Sequence, residues 1–173
     1  MHASTDDFLA AMRRFATGVA IVTTEHEGRI HGFTVNAFAS VSAAPPTVLI
    51  CVNREATAHP LIAESQRFCV NILSLEQREL AVRFAGGEPR SRFDGVRYRI
   101  GRSGSPILDG TLAHVDCALA EELTASTHTI FLGTVVDAGW RDGEPLGYFN
   151  RAYRDFALRP PQGDDDTRLG EDS

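Results

Sequence analysis

The chain has 173 residues, and 17 basic against 23 acidic side chains give it a formal net charge of -6. That length predicts one compact domain, and 43% hydrophobic with 23% charged residues allows a buried core under a soluble surface. The acidic balance and the missing basic stripe speak against nucleic acid as a partner. No apolar run approaches the ~20 residues a membrane helix needs, and Asp6 and Asp7 stand where a secretory signal would be basic and then apolar. A cytoplasmic protein without a membrane partner is expected.

All seventeen basic residues are Arg. Without Lys there is no Schiff-base chemistry, no lysine general base and no Walker-type phosphate lysine. Cys51, Cys69 and Cys117 are odd in number and sit in apolar surroundings. They read as buried thiols, not as a disulfide framework.

In chain order, Ser4 to Phe15 predicts a short helix, capped by Ser4 or Thr5, with Phe8, Met12 and Phe15 on one face. GVAIVTT from Gly18 is a β-branched run typical of a buried strand. After a turn at Gly28, Ile30 to Ser42 predicts one long strand with Asn36 in its middle. Pro45-Pro46 ends it, and TVLICVN forms the next strand. Thr57 to Gln66 predicts a helix and FCVNIL a strand. Ser74 and Gln77 have capping-box spacing before a helix whose apolar positions are Leu75, Leu80, Val82 and Phe84. Gly86 to Gly110 reads as irregular. Thr111 to Leu123 and His128 to Trp140 predict two long strands, and PLGYFNRAY a last short one. From Arg159 the chain turns polar and acidic, which predicts a disordered tail over 159–173. The fold class is mainly β, a barrel or sandwich of about seven strands with a few short flanking helices.

Familiar catalytic signatures are missing. No GxGxxG follows a strand, GxSxG is absent, and there is no HExxH or CxxC. His114 and Asp116, two apart on a strand, lack a third convergent metal ligand and read as a solvated or hydrogen-bonded pair. Cys51, between Ile50 and Val52, reads as a packed thiol and not a nucleophile. TVNAFASVS is unusual in its density of small and hydroxyl residues. Thr34, Asn36, Ser40 and Ser42 fall on alternate or near-alternate positions. Such a polar face serves either a flat ligand with a polar edge or the wet side of an edge strand.

The segments GVAIVTT, HGFTVNAFASVSAAPPTVLICVNREATAHPLI, FCVNILSLEQRELAVRFAG, RFDGV, HTIFLGTVVD and PLGYFNRAYRDF resemble, in order and spacing, the short-chain flavin reductases. These are the reductase components of two-component flavin-dependent monooxygenases. The resemblance spans roughly residues 8 to 156. It implies an FMN-binding split β-barrel over residues 1–158 and an NAD(P)H:flavin oxidoreductase. Such an enzyme passes hydride from NADH or NADPH to FMN or FAD and supplies reduced flavin to a separate monooxygenase. By the same resemblance, Thr34, Val35, Asn36, Ala37, Ser40 and Ser42 cradle the flavin ring and ribityl chain. Cys51, Asn53, Arg54 and Thr57 belong to the phosphate strand and loop, where Ala56 replaces a serine common in relatives. Arg83 and Phe84 lie near the phosphate end. His128 is the catalytic position beside the stacked nicotinamide and flavin, and Tyr148, Arg151 and Tyr153 close the site. A homodimer with the flavin pocket near its interface is also implied.

Chemistry agrees with this assignment, because hydride transfer between stacked rings needs positioning and charge stabilisation and no protein nucleophile. Two alternatives share the barrel: a non-enzymatic flavin- or heme-binding carrier or sensor, and a relative of the pyridoxamine-phosphate oxidases. For the latter, the missing Lys makes a basic phosphate site harder to build.

Overall fold

The structure, a computed structural model, describes residues 2–156; the predicted disordered tail lies outside the described residues. The elements in chain order are α1 (Thr5–Met12), β1 (Thr17–Gly18), β2 (Ala20–His26), β3 (Arg29–Val35), β4 (Phe38–Ala43), β5 (Pro46–Asn53), α2 (Ala58–Ser65), β6 (Arg67–Ile72), α3 (Arg78–Ala85), β7 (Tyr98–Ile100), β8 (Pro106–Leu108), β9 (Ala113–Ala125), β10 (His128–Trp140), β11 (Leu146–Phe149) and β12 (Ala152–Asp155). The fold is mainly β, as the sequence predicts. Among the described residues no helix is long and apolar enough to cross a membrane.

Ser4 caps α1 as expected, its Oγ accepting the Asp7 N–H at 3.1 Å. The helix stops at Met12, however, and buries none of its residues. Gln77 Oε1 accepts the Ser74 N–H at 3.2 Å, holding the entry to α3. Within α3 the inward positions are Ala81 and Phe84, while Val82 is 55% exposed. Of the apolar positions read from the sequence, Phe84 is thus in the core and Val82 is not. The irregular segment after α3 contains the small β7–β8 hairpin, and the single strand expected near residue 149 is the β11–β12 hairpin.

Seven strands form one sheet in the order β3-β2-β6-β9-β10-β5-β4. Its two edge strands, β3 and β4, are consecutive in the chain and separated only by Asn36 and Ala37. Two residues cannot cross a flat seven-stranded sheet, whose neighbouring strands are ~4.8 Å apart. The sheet must curl until its edges meet at Asn36–Ala37, yet no ladder joins β3 to β4. The result is a barrel with an open seam: a split barrel. The long strand predicted through Asn36 is broken there because it serves both edges.

The barrel interior is a cluster that includes Val22, Ile50, Val52, Ile62, Phe68 and Phe131. Each buried side chain of this size contributes about 1.5–3 kcal/mol. A second cluster under α3 includes Ile21, Leu73, Phe84, Leu108 and Leu146. Asn71, fully buried, braces the second cluster. Its Nδ2 donates to Ile21 O at 3.2 Å, and its Oδ1 accepts the Leu108 N–H at 2.8 Å. Asp116, also fully buried, accepts the Ser103 N–H at 2.7 Å and the Ser103 hydroxyl at 2.5 Å. It thus anchors the turn before β8, while its sequence neighbour His114 pairs with Asp137 at 3.2 Å.

Candidate functional site

The end of β3, the start of β4, the end of β5 and the start of β10 lie at one end of the barrel. The register fixes this: Phe38 pairs with Ile50, and Asn53 pairs with His128. Asn36 and Ala37 are exposed and belong to neither ladder, which leaves their backbone N–H groups uncommitted to the sheet. The Ala37 carbonyl accepts the Cys51 N–H at 3.1 Å, so the corner is held against the strand that leads into the Asn53–Thr57 turn.

Three depressions meet at Asn36. One of about 320 Å³ is bounded by Phe15 to Ala20 together with Val35, Phe38 and Ile72. A second, of about 190 Å³, adds Thr34, Ala85, Tyr148 and Tyr153. The third, about 150 Å³, lies between the end of α1 and the β11–β12 turn and includes Arg13, Tyr148 and Arg151. The two tyrosine rings pack edge to face, with centroids 5.6 Å apart. Burial, and then the neighbouring Tyr148, pushes the Tyr153 phenol above its usual range, so it stays a hydrogen-bond donor at neutral pH. Thr34 Oγ1 donates to the Ala81 carbonyl at 2.7 Å, which spends its proton on α3 and leaves only lone pairs for a ligand.

A separate cleft of about 730 Å³ opens between the Asn53–Glu55 turn and the β9–β10 turn, lined also by His59 and Thr127. The turn is tightly held. Asn53 Oδ1 accepts the Glu55 N–H at 2.9 Å, and Arg54 N–H donates to the Thr127 carbonyl at 3.0 Å. Thr57 Oγ1 lies 3.1 Å from His31 Nε2. His128 shares a hydrogen bond with Thr127 Oγ1 through Nδ1 at 2.9 Å, and its Nε2 has no partner among the described residues. Burial, then the Arg92 guanidinium, pushes His31 below the ordinary histidine value, so it is neutral at physiological pH. Burial pushes the half-buried Cys51 thiol up, which keeps it protonated and unreactive.

Of the residues predicted from sequence, Thr34, Val35, Asn36, Tyr148, Arg151 and Tyr153 line the depressions around the corner, and Ala37 forms the corner itself. Asn53 and Arg54 line the cleft, with Thr57 and His128 beside it. Ser40 and Ser42 lie further along β4, on either side of a register shift, and line neither region. Arg83 donates to the Asp94 carbonyl at 3.0 Å and borders a different depression on the far side of α3. Phe84 is fully buried; a Cβ on Gly32 would come within 2.6 Å of its ring, so glycine makes the room that Phe84 fills. Sequence reasoning missed Arg13, Phe15 and Thr17 as site residues. Their only signal was the RRFAT segment placed directly before the first buried strand.

A family model described as a flavin reductase like domain matches residues 12–157. The chain belongs to the flavin reductase-like domain family. An FMN reductase (NADH) of Stutzerimonas stutzeri is 39% identical over 150 residues, 86% of either chain. The reductase subunit of a flavin-dependent monooxygenase of Mycobacterium tuberculosis is 36% identical over 128 residues, 74% of this chain and 68% of that one. Among solved structures, a Streptomyces globisporus NADH:FAD oxidoreductase in complex with NAD and FAD fragments superposes with a TM-score of 0.83. It is 33% identical, and the match covers 91% of this chain and 98% of that one.

The residues present suit the flavin of this family on an observation of their own. Thr17 Oγ1, on the wall of the largest depression at Asn36, is buried and has no hydrogen-bond partner among the described residues. A buried hydroxyl left alone costs ~1–3 kcal/mol, which the polar edge of a flavin would offset. Among the described residues no cluster of three metal-ligating side chains exists.

Proposed function

We propose that this protein is an NADH-dependent flavin reductase whose flavin lies at the Asn36–Ala37 corner and whose product, reduced FMN or FAD, is used by a separate monooxygenase. The observation that carries the reading is the seam itself. Two sheet edges converge on an uncommitted backbone segment beside a buried, partnerless Thr17 hydroxyl, in a chain matched nearly end to end by the flavin reductase model.

Flavin, when bound, supplies the hydride acceptor for the nicotinamide. The chain's part is positioning and electrostatics. The free N–H groups of Asn36 and Ala37 suit the ring edge that gains negative charge on reduction. Asn53, Arg54 and the Thr57 hydroxyl suit the phosphate, with Arg as the only strong cation the chain has. His128, neighbour in register to Asn53, would offer Nε2 to the nicotinamide, with Nδ1 held by Thr127. Tyr148 and Tyr153 wall off water on the side of α3. A homodimer belongs to the same proposal. Outward-facing Leu49, Cys51, Leu123, Ile130 and Leu132 make an apolar row on the sheet's outer face, and a second copy would cover it.

The test is NADH consumption followed by absorbance, with and without added FMN or FAD. Flavin-dependent oxidation of NADH is expected. Flavin that co-purifies but stays inert to NADH would replace this reading with the carrier. Asn36→Asp should weaken binding of the reduced flavin by about tenfold, since a like charge beside the ring edge that turns negative on reduction costs on the order of 1–2 kcal/mol. An unchanged midpoint potential of the bound FMN would move the flavin off the corner.

A further inference from the structure

β11 and β12 are joined by two residues, Asn150 and Arg151, with φ of +50° and +63°. Both central residues in the left-handed region define the type I′ hairpin turn, whose preferred sequence is Asn-Gly. Asn at the first position obeys that preference. Arg at the second does not, because a Cβ in this region is unfavourable. A side chain kept at a strained backbone position points to a use for that side chain.

The turn is fastened to the end of α1, where the Asn150 N–H donates to the Arg13 carbonyl at 3.1 Å. Arg13 and Arg151 therefore border the same depression, the one that adjoins Asn36 and Tyr148. Neither guanidinium has an ion-pair or hydrogen-bond partner among the described residues. The other wall is apolar and open: Leu9, Met12 and Phe15 are 39%, 51% and 69% exposed. Phe15 also borders the largest depression at Asn36, so the compartment is continuous with the flavin corner.

Two unpaired guanidiniums beside an exposed aromatic and aliphatic wall have a specific chemical complement. We propose that this compartment binds the adenosine-diphosphate half of a dinucleotide, with the diphosphate on Arg13 and Arg151 and the adenine against Phe15 and Met12. The proposal rests on the flavin reductase reading and adds to it. NADH carries this half; FAD carries it too, one of its two phosphates being the phosphate of FMN. Arginine's planar fork suits diphosphate oxygens, and an aromatic face accepts a base without hydrogen-bond readout.

Arg13→Gln, Arg151→Gly and the double variant test it. Arg151→Gly places the preferred residue in the turn, so its melting temperature should rise, which separates loss of the guanidinium from loss of the fold. With FMN as acceptor, the KM for NADH should rise about tenfold per variant relative to the KM for reduced nicotinamide mononucleotide, which has no adenosine diphosphate. That result assigns the compartment to NADH. A rise of the same size in the Kd of FAD relative to FMN, measured without nicotinamide, assigns it to FAD and moves the flavin phosphate away from the Asn53–Thr57 turn. Active variants with both ratios unchanged overturn the proposal, as does an equal rise for the mononucleotide donor. A wild-type protein inert to NADH overturns the reductase reading instead, and the comparison of FAD with FMN binding still decides the compartment.

Discussion

His31 shows how the fold sets the charge of one residue. It is 8% exposed on β3, with Thr57 at Nε2, no partner for Nδ1 among the described residues, and the Arg92 guanidinium close by. Because the folded pKa is depressed, the unfolded chain binds more protons than the folded one once pH falls below the ordinary value near 6.5. The contribution is complete above that value and is lost as pH falls toward the depressed one. Stability by urea unfolding should therefore increase from about pH 5 to about pH 7, and His31→Gln should flatten that slope. A parallel slope in the variant would show that His31 does not titrate in this way.

At the scale of elements, the apolar runs were legible. GVAIVTT, TVLICVN, FCVNIL and the two long strands before and after Thr127 all became sheet, because β-branched runs bounded by turn residues have few alternatives. The break at Asn36 was not legible. Alternation continues straight through it, and only the sheet order shows that β3 and β4 belong to opposite edges. The β11–β12 turn was hidden for a related reason, since Asn-Arg lacks the glycine that signals a hairpin. Thr34 and Asn36 were singled out by the alternation of TVNAFASVS, and Tyr148 and Tyr153 only by the resemblance, whereas Phe15 and Thr17, which border the same corner, come from a segment whose pattern says only that a strand follows. In β10, Gly133 sits where a Cβ would lie 2.5 Å from Phe68 and 2.8 Å from Cys117. Gly133→Ala should cost about 1–3 kcal/mol by overpacking, read as a lowered urea midpoint. An unchanged midpoint would mean that β10 and β6 can move apart freely.

For the whole molecule, the inner and outer faces of β5 and β10 differ less than in an isolated barrel. Val48, Ile50, Val52 and Phe131 point inward and are buried, yet the alternate positions are also apolar, and Leu123 in the adjoining row is 45% exposed. A sheet with two apolar faces needs covering on both. Sedimentation should give twice the chain mass, and Leu123→Arg should shift it toward the monomer without loss of circular dichroism. A wild-type monomer at micromolar concentration would remove the homodimer from the proposal.

Where the first and last strands of a sheet are brought together by a two-residue connection, whatever lodges there acts as a clasp on the entire curl. The corner exists only after the inner hairpins have assembled around it, so a chain with any of the seven strands undone has nothing to offer a ligand. Occupancy would then slow amide exchange even in β9, a strand that lines none of the depressions at the corner.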